Sequence, residues 1–222
     1  MRCSRNVIAA GLNVTLNGEA LEAVDQFKYL GSVIHASGGV EADVSHRVNE
    51  GCKVLGALKG VMKNRTLDMN IKKVLYEKVV VPTVMYGSEL WGLKVSERQK
   101  LNVFEMRCLR SMTGISLMDR TRNEIVRARA GVRGELSARV DMNVLRWFGH
   151  VERMDNERLL KRVVNAEVDG RNARGRRRFG WKEGVKKALS DGGMSMREAS
   201  ERAKDRNCDA ILRHLLLQLA VS

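Results

Sequence analysis

"LNVTLNGEALEAVDQFKYLGSVI", Leu12 to Ile34, decides the fold class, because the pattern of the chain changes soon after it ends. Leu12, Val14 and Leu16 alternate with Asn13, Thr15 and Asn17, the period-two spacing of a strand with one covered face. Asn17-Gly18 suits the two positive φ angles of a tight type I′ turn. Residues 12–16 and 19–24 are therefore expected to pair as a hairpin, with a third strand from Phe27 to Ile34. From Val40 the spacing turns helical. Val44, Val48, Leu55, Leu58 and Met62 fall on one stripe, with Arg47, Lys53 and Lys59 off it.

The helical pattern then continues to the end of the chain. "TLDMNIKKVLYEKVVV" predicts a helix capped by Thr66 or Asp68 and broken at Pro82, the only proline. "YGSELWGL" is a short aromatic link. A third helix starts at Ser96-Glu97, buries Leu101, Phe104, Cys108, Leu109 and Met112, and stops at Gly114. "SLMDRTRNEIVRARAGV" gives a fourth helix ended by Gly131, Glu135–Met154 a fifth and residues 156–168 a sixth. Shorter helices are expected near 181–190 and 195–206 and from about Cys208 to Leu219. The fold class is mainly α with a small N-terminal antiparallel β-element, an α+β arrangement. Its expected divisions are 1–36 (β-hairpin element), 37–115 (helical) and 116–222 (basic, helical).

Composition narrows the function. A chain of 222 residues that is 44% hydrophobic can bury a core, so it is globular rather than disordered. The net charge of +14 favours a polyanionic partner. Residues 1–115 hold 16 Lys+Arg against 11 Asp+Glu, a net +5, and residues 116–222 hold 24 against 15, a net +9. Cys3, Cys52, Cys108 and Cys208 form no C-x-x-C pair, so free thiols are expected and a metal site is not. No apolar run is long enough for a membrane span, and the start lacks the apolar stretch of a signal peptide. The expected location is nuclear or cytoplasmic, not secreted.

Signs of catalysis are missing. There is no phosphate-binding loop, nucleophile elbow or H-E-x-x-H motif. The carboxylates are scattered, whereas two-metal phosphoryl transfer needs them gathered. His35, His46, His150 and His214 have no evident nucleophile beside them. No catalytic residue, metal or cofactor is expected.

Four strings in order carry a resemblance: "FKYLGSVI" (Phe27–Ile34), "YGSELW" (Tyr86–Trp91), "LRWFGHVERM" (Leu145–Met154) and "RGRRRFGW" (Arg174–Trp181). Together they resemble the C-terminal part of the reverse transcriptases of LINE-type, non-LTR retrotransposons. The likeness runs from about Val7 to His214. It implies that the hairpin and "FKYLG" correspond to the primer grip, residues 40–115 to the helical thumb, and the rest to the region after the thumb. It also implies that the palm, with its Y-x-D-D-type aspartates, is not part of this chain. The chain departs from the family at Arg177, where proline is usual, at Cys208, where tryptophan is frequent, and in the tail "LLLQLAVS".

The candidate contacts are all basic. Lys28 in "FKYLG" would rest on a sugar-phosphate backbone, or it sits on an ordinary strand. "YGSELW" either stacks on a base or packs in the core. In Glu135–Met154, Val140, Val144, Trp147, Val151 and Met154 share a stripe flanked by Phe148, which makes Trp147 the expected core anchor. Arg146, His150 and Arg153 share another face, open to phosphate or to solvent. Arg171, Arg174, Arg176, Arg177 and Arg178, with Phe179 and Trp181 behind them, form the strongest nucleic-acid candidate. A nuclear-import signal or a solvated loop are its alternatives. The expected partner is RNA or an RNA–DNA hybrid. Three possibilities stay open: a non-catalytic binding fragment, part of an RNA-directed DNA polymerase whose palm is encoded upstream or in another chain, and a translated remnant without function.

Overall fold

The structure, a computed structural model, describes residues 15–166 and 179–204. Among these the chain is mostly helical, with small antiparallel β-pairs at the N-terminal end. Strands β1 (Thr15–Leu16) and β2 (Glu19–Ala20) pair through the expected turn, with Asn17 at φ 53° and Gly18 at φ 88°. The expected third strand is instead a second hairpin. β3 (Gln26–Tyr29) pairs with β4 (Ser32–His35), with Phe27 opposite Ile34 and Lys28 opposite Val33. The chain reverses at Leu30 (φ 48°) and Gly31 (φ 87°). Leucine rarely takes a left-handed conformation, so this turn escapes the usual signals.

The helices follow. α1 (Glu41–Ala57) and α2 (Lys59–Lys63) meet at Leu58. α3 (Met69–Leu75) is capped by Asp68, whose carboxylate accepts the Asn70 N–H at 3.0 Å. It does not break at Pro82 as expected. A π turn over Tyr76–Val80 leads directly into α4 (Val81–Val84). The Val81 N–H reaches back five residues to the Tyr76 carbonyl. The widened turn makes room where a proline in a regular helix would clash with the preceding turn and leave a carbonyl unpaired. A 3-10 turn, Ser88–Leu90, then delivers Trp91 to the core.

α5 (Val95–Thr113) buries the five predicted side chains and ends at Gly114, φ 69°. Lys72, itself buried, donates from Nζ to the Met112 carbonyl at 3.2 Å and so neutralises the C-terminal end of α5. α6 (Asn123–Ala130) stops at Gly131. α7 (Leu136–Glu152), α8 (Leu159–Asn165), α9 (Trp181–Asp191) and α10 (Met196–Ala203) complete the described helices. The expected helix at Cys208–Leu219 lies outside the described residues.

One hydrophobic cluster runs from Val44 on α1 through Trp91 and α5 to Ala203 on α10. α5 and α7 are joined by a two-pronged ion pair, Arg98 to Asp141, with both contacts at 2.6 Å. Two glycines allow close approach between elements. A Cβ on Gly51 would stand 2.3 Å from Val84 Cγ2, and one on Gly92 would stand 2.4 Å from the Gly180 carbonyl oxygen.

The buried arc of α7 departs from expectation. Phe148 is 4% exposed and anchors the core, while Trp147 is half-buried beside the exposed His150. Their ring centroids are 5.2 Å apart. Val140, Val144 and Val151 are buried as expected, but the aromatic anchor is Phe148 rather than Trp147, because α7 packs against the 3-10 turn and α9 as well as α5, and these widen its buried face toward Phe148 and Leu145. Arg47 departs too. Its position beside the α1 stripe is covered by the β3–β4 hairpin and Tyr86, so it is buried rather than solvated.

Candidate nucleic-acid interface

The first basic surface is the seam between the β3–β4 hairpin and α1. Asp43 on α1 fastens it. One carboxylate oxygen accepts the Val33 N–H at 2.8 Å, and the other accepts Trp91 Nε1, also at 2.8 Å. Val33 lies opposite Lys28, so this bond fixes where Lys28 stands. Lys28 is exposed on β3. Glu50, further along α1, is held below the ordinary carboxylate range, first by its hydrogen bond from Lys53 and then by the charges of Lys53, His46 and Lys28. The two carboxylates on this face of α1 are both engaged, Asp43 by Val33 and Trp91 and Glu50 by Lys53.

Tyr86 closes the seam from the other side. Its ring lies 4.3 Å from Arg47 Cζ, and its hydroxyl donates to the Leu30 carbonyl at 3.1 Å. Of the two aromatics in "YGSELW", Trp91 is core and Tyr86 is exposed. Phe27 and Tyr29 project from one face of the hairpin and are about half exposed. Beside the seam, a cavity of 180 Å³ lies between β4, the start of α1 and the 3-10 turn. It is lined mainly by apolar groups, with Asp43 and Trp91 among them.

The second basic surface is the outer face of α7. Arg146 is exposed, and among the described residues its Nη1 donates to the Asn143 side-chain oxygen, at 3.3 Å. His150 lies one turn on, also exposed. Arg153 is exposed but committed in part: its Nη1 donates to the Ala203 carbonyl at 3.2 Å, at the end of α10. Arg171, Arg174, Arg176, Arg177 and Arg178 lie outside the described residues. Trp181, expected as a stacking platform, is instead a strut. It is half-buried against the core and donates from Nε1 to the Glu89 carbonyl at 2.9 Å.

Lys28, Arg146 and Arg153 therefore lie on the surface as expected, Tyr86 is the exposed aromatic of the "YGSELW" link, and Arg47 is the basic residue that spacing leaves unmarked. A charge beside an apolar stripe is ordinarily solvated, and only the covering hairpin makes Arg47 different. Among the described residues no three of His, Cys, Asp and Glu converge as a metal site would need, and no helix is long and apolar enough to cross a membrane.

Buried titratable groups lie elsewhere. Glu105 on α5 is fully buried. Desolvation raises its pKa, against the Arg127 guanidinium 2.8 Å away, which lowers it. Burial pushes the Cys108 thiol up to about 12 and also raises the Tyr76 hydroxyl, beside Glu105. All three groups are buried among the described residues, Glu105 and Cys108 on α5 and Tyr76 at the start of the π turn.

Comparison with known proteins adds one likeness. No family model matches the chain, and no solved structure matches it. A transposon-derived protein of Caenorhabditis elegans is 26% identical over 142 residues, covering 62% of this chain and 50% of that protein. The chain thus spans about half the length of this curated relative, and the likeness supports a transposon-related origin.

Proposed function

We propose that the chain is a non-catalytic nucleic-acid-binding piece of a retrotransposon reverse transcriptase, gripping the backbone of RNA or an RNA–DNA hybrid. The observation that carries this is the charge: +14 overall, with exposed cations such as Lys28 and Arg146 outside any ion pair among the described residues. The four ordered strings support this parentage, and the transposon-derived relative supports a transposon-related origin. Lys28, Arg146, Arg153 and the run Arg171, Arg174, Arg176, Arg177 and Arg178 are the proposed phosphate contacts. Such contacts position a strand and carry no sequence information, so little sequence preference is expected.

Fluorescence anisotropy with a labelled RNA–DNA hybrid tests this. If 6 to 10 phosphates are neutralised, affinity falls about 10³- to 10⁵-fold between 50 and 200 mM salt. No binding at the lower salt, or affinity indifferent to salt, would refute it.

A second reading has its own observation. Phe27, Tyr29, Leu30 and Ile34 leave the hairpin with an exposed apolar surface. Such a patch suits a further part of a polymerase, with the palm in another stretch of sequence. On that reading the pure chain incorporates no nucleotide on a primed template, and a supplied palm restores incorporation.

A further inference from the structure

The β3–β4 hairpin is a firm unit on a loose seat. Gln26–Tyr29 pairs residue for residue with Ser32–His35, and the Ala36 N–H closes the open end on the Asp25 carbonyl at 2.8 Å. Its hold on the helices is slighter. Every residue of β3 is exposed, and no residue of either strand joins the hydrophobic cluster. The Val33 N–H donates to Asp43 at 2.8 Å, and the Tyr86 hydroxyl donates to the Leu30 carbonyl at 3.1 Å. Under β4 lies the cavity of 180 Å³, with Ser32–His35 on one side and Val40, Asp43 and Trp91 on the other. The link to α1 runs through Gly38 and Gly39. Gly38 takes φ 71°, and a Cβ there would meet nothing within 4 Å, so the chain can change direction at this point.

Closure also carries a cost. Arg47 lies under the turn and is 8% exposed, and its Nε and Nη2 have no hydrogen-bond partner among the described residues. None of the ion pairs found there includes it. The turn backbone is the cover, since a Cβ on Gly31 would stand 3.0 Å from Nη2. The Tyr86 ring, 4.3 Å from Arg47 Cζ, compensates in part. A desolvated cation without a counter-charge is still strongly destabilising, and the hairpin buries too little apolar surface to offset it as a core strand would. Lifting the hairpin returns both N–H groups to water.

We infer that the β3–β4 hairpin is a flap that swings on Gly38 and Gly39, held shut by Asp43 and Tyr86 and driven open by the buried guanidinium of Arg47. It lifts as one piece, because its own ladder is complete while its seat is not. Lys28, on β3, moves with it. The motion belongs to the free chain and needs no nucleic acid. Opening is local: the helices beneath keep their packing, because the cluster they share contains no hairpin side chain.

Amide hydrogen exchange of the whole chain, read by NMR, tests this. The Val33 N–H is bonded to Asp43 on α1, so its exchange reports separation of the hairpin from that helix. In wild type, Val33 should exchange about 100-fold or more faster than Leu109 within α5. Low concentrations of urea should speed Leu109 and leave Val33 nearly unchanged, since local opening exposes little surface. Arg47→Met keeps an apolar stem without the charge and should slow Val33 about ten-fold or more. Tyr86→Phe keeps the ring without the bond to Leu30 and should quicken Val33 several-fold. A Val33 rate that matches Leu109 through the urea series overturns the flap. An Arg47→Met rate equal to or faster than wild type overturns it too, because Arg47 would then not be what opens the hairpin. If Arg47→Met does not fold, the wild-type urea series and Tyr86→Phe decide, and an unchanged Val33 rate in Tyr86→Phe counts against the flap.

Discussion

Replacing Phe148 by alanine should cost far more than replacing Trp147, although indole is the larger group. Phe148 is 4% exposed within the cluster shared by α5, α7 and the 3-10 turn. A buried aromatic removes roughly 175 Å² from water. At about 25 cal/mol per Å² that is about 4 kcal/mol, within the roughly 3 to 5 kcal/mol found when buried aromatics are cut to alanine. Trp147 is half-buried, and its aromatic neighbour is the exposed His150, at 5.2 Å. Its loss should cost about 1 kcal/mol. Urea unfolding followed by circular dichroism reads both. With a slope of about 2 kcal/mol per molar urea, Phe148→Ala should lower the midpoint by about 2 M and Trp147→Ala by about 0.5 M. Against a typical total of about 5 to 15 kcal/mol, the first variant could be largely unfolded at rest. A Trp147→Ala protein less stable than Phe148→Ala would refute the assignment of the anchor.

Two further perturbations probe other parts of the packing. Gly92→Ala should destabilise by about 1 to 3 kcal/mol, because the new Cβ meets the Gly180 carbonyl oxygen at 2.4 Å. Gly56→Ala in α1, with nothing near its Cβ, should stabilise by about 0.5 to 1 kcal/mol. Thermal melts showing the reverse order would contradict these contacts. Burial raises the Glu105 pKa above its ordinary 4.5, so the folded protein holds that proton more tightly than the unfolded one. Its contribution is therefore most favourable below about 4.5 and is lost as pH rises through the raised value. Wild type should lose stability relative to Glu105→Gln as pH rises from about 4 toward neutrality. A relative gain would show that Arg127 outweighs desolvation.

Much of this framework is legible in the chain because the signals are local. Asn17-Gly18 dictates its turn, Asp68 its cap and Gly114 and Gly131 their stops, while the α5 side chains repeat at helical spacing against a single core. The missed features depend on distant neighbours. Leu30 turns left-handed with its carbonyl held by Tyr86, 56 residues away. Arg47 is buried only because that hairpin folds over α1. On α7 the valines of the stripe are buried as their spacing implies, but Phe148 rather than Trp147 anchors the core because several elements, not one, cover the helix. The basic surfaces were visible as charge, but which arginines are spent within the fold, as Arg98 and Arg127 are, depends on partners that spacing cannot name.

The π turn before Pro82 carries a consequence for how the sequence can vary. Such a turn accommodates one residue beyond what a regular helix would hold, while the faces on either side stay in line. Removing the exposed Val79 alone would close the turn to regular pitch and bring the proline ring against the carbonyl one turn earlier. Removing Val79 together with Pro82→Ala would leave a plain continuous helix with its inner face unchanged. The extra residue and the proline should therefore be gained and lost as a pair, so that alignments of related chains show a one-residue gap here wherever the proline is absent.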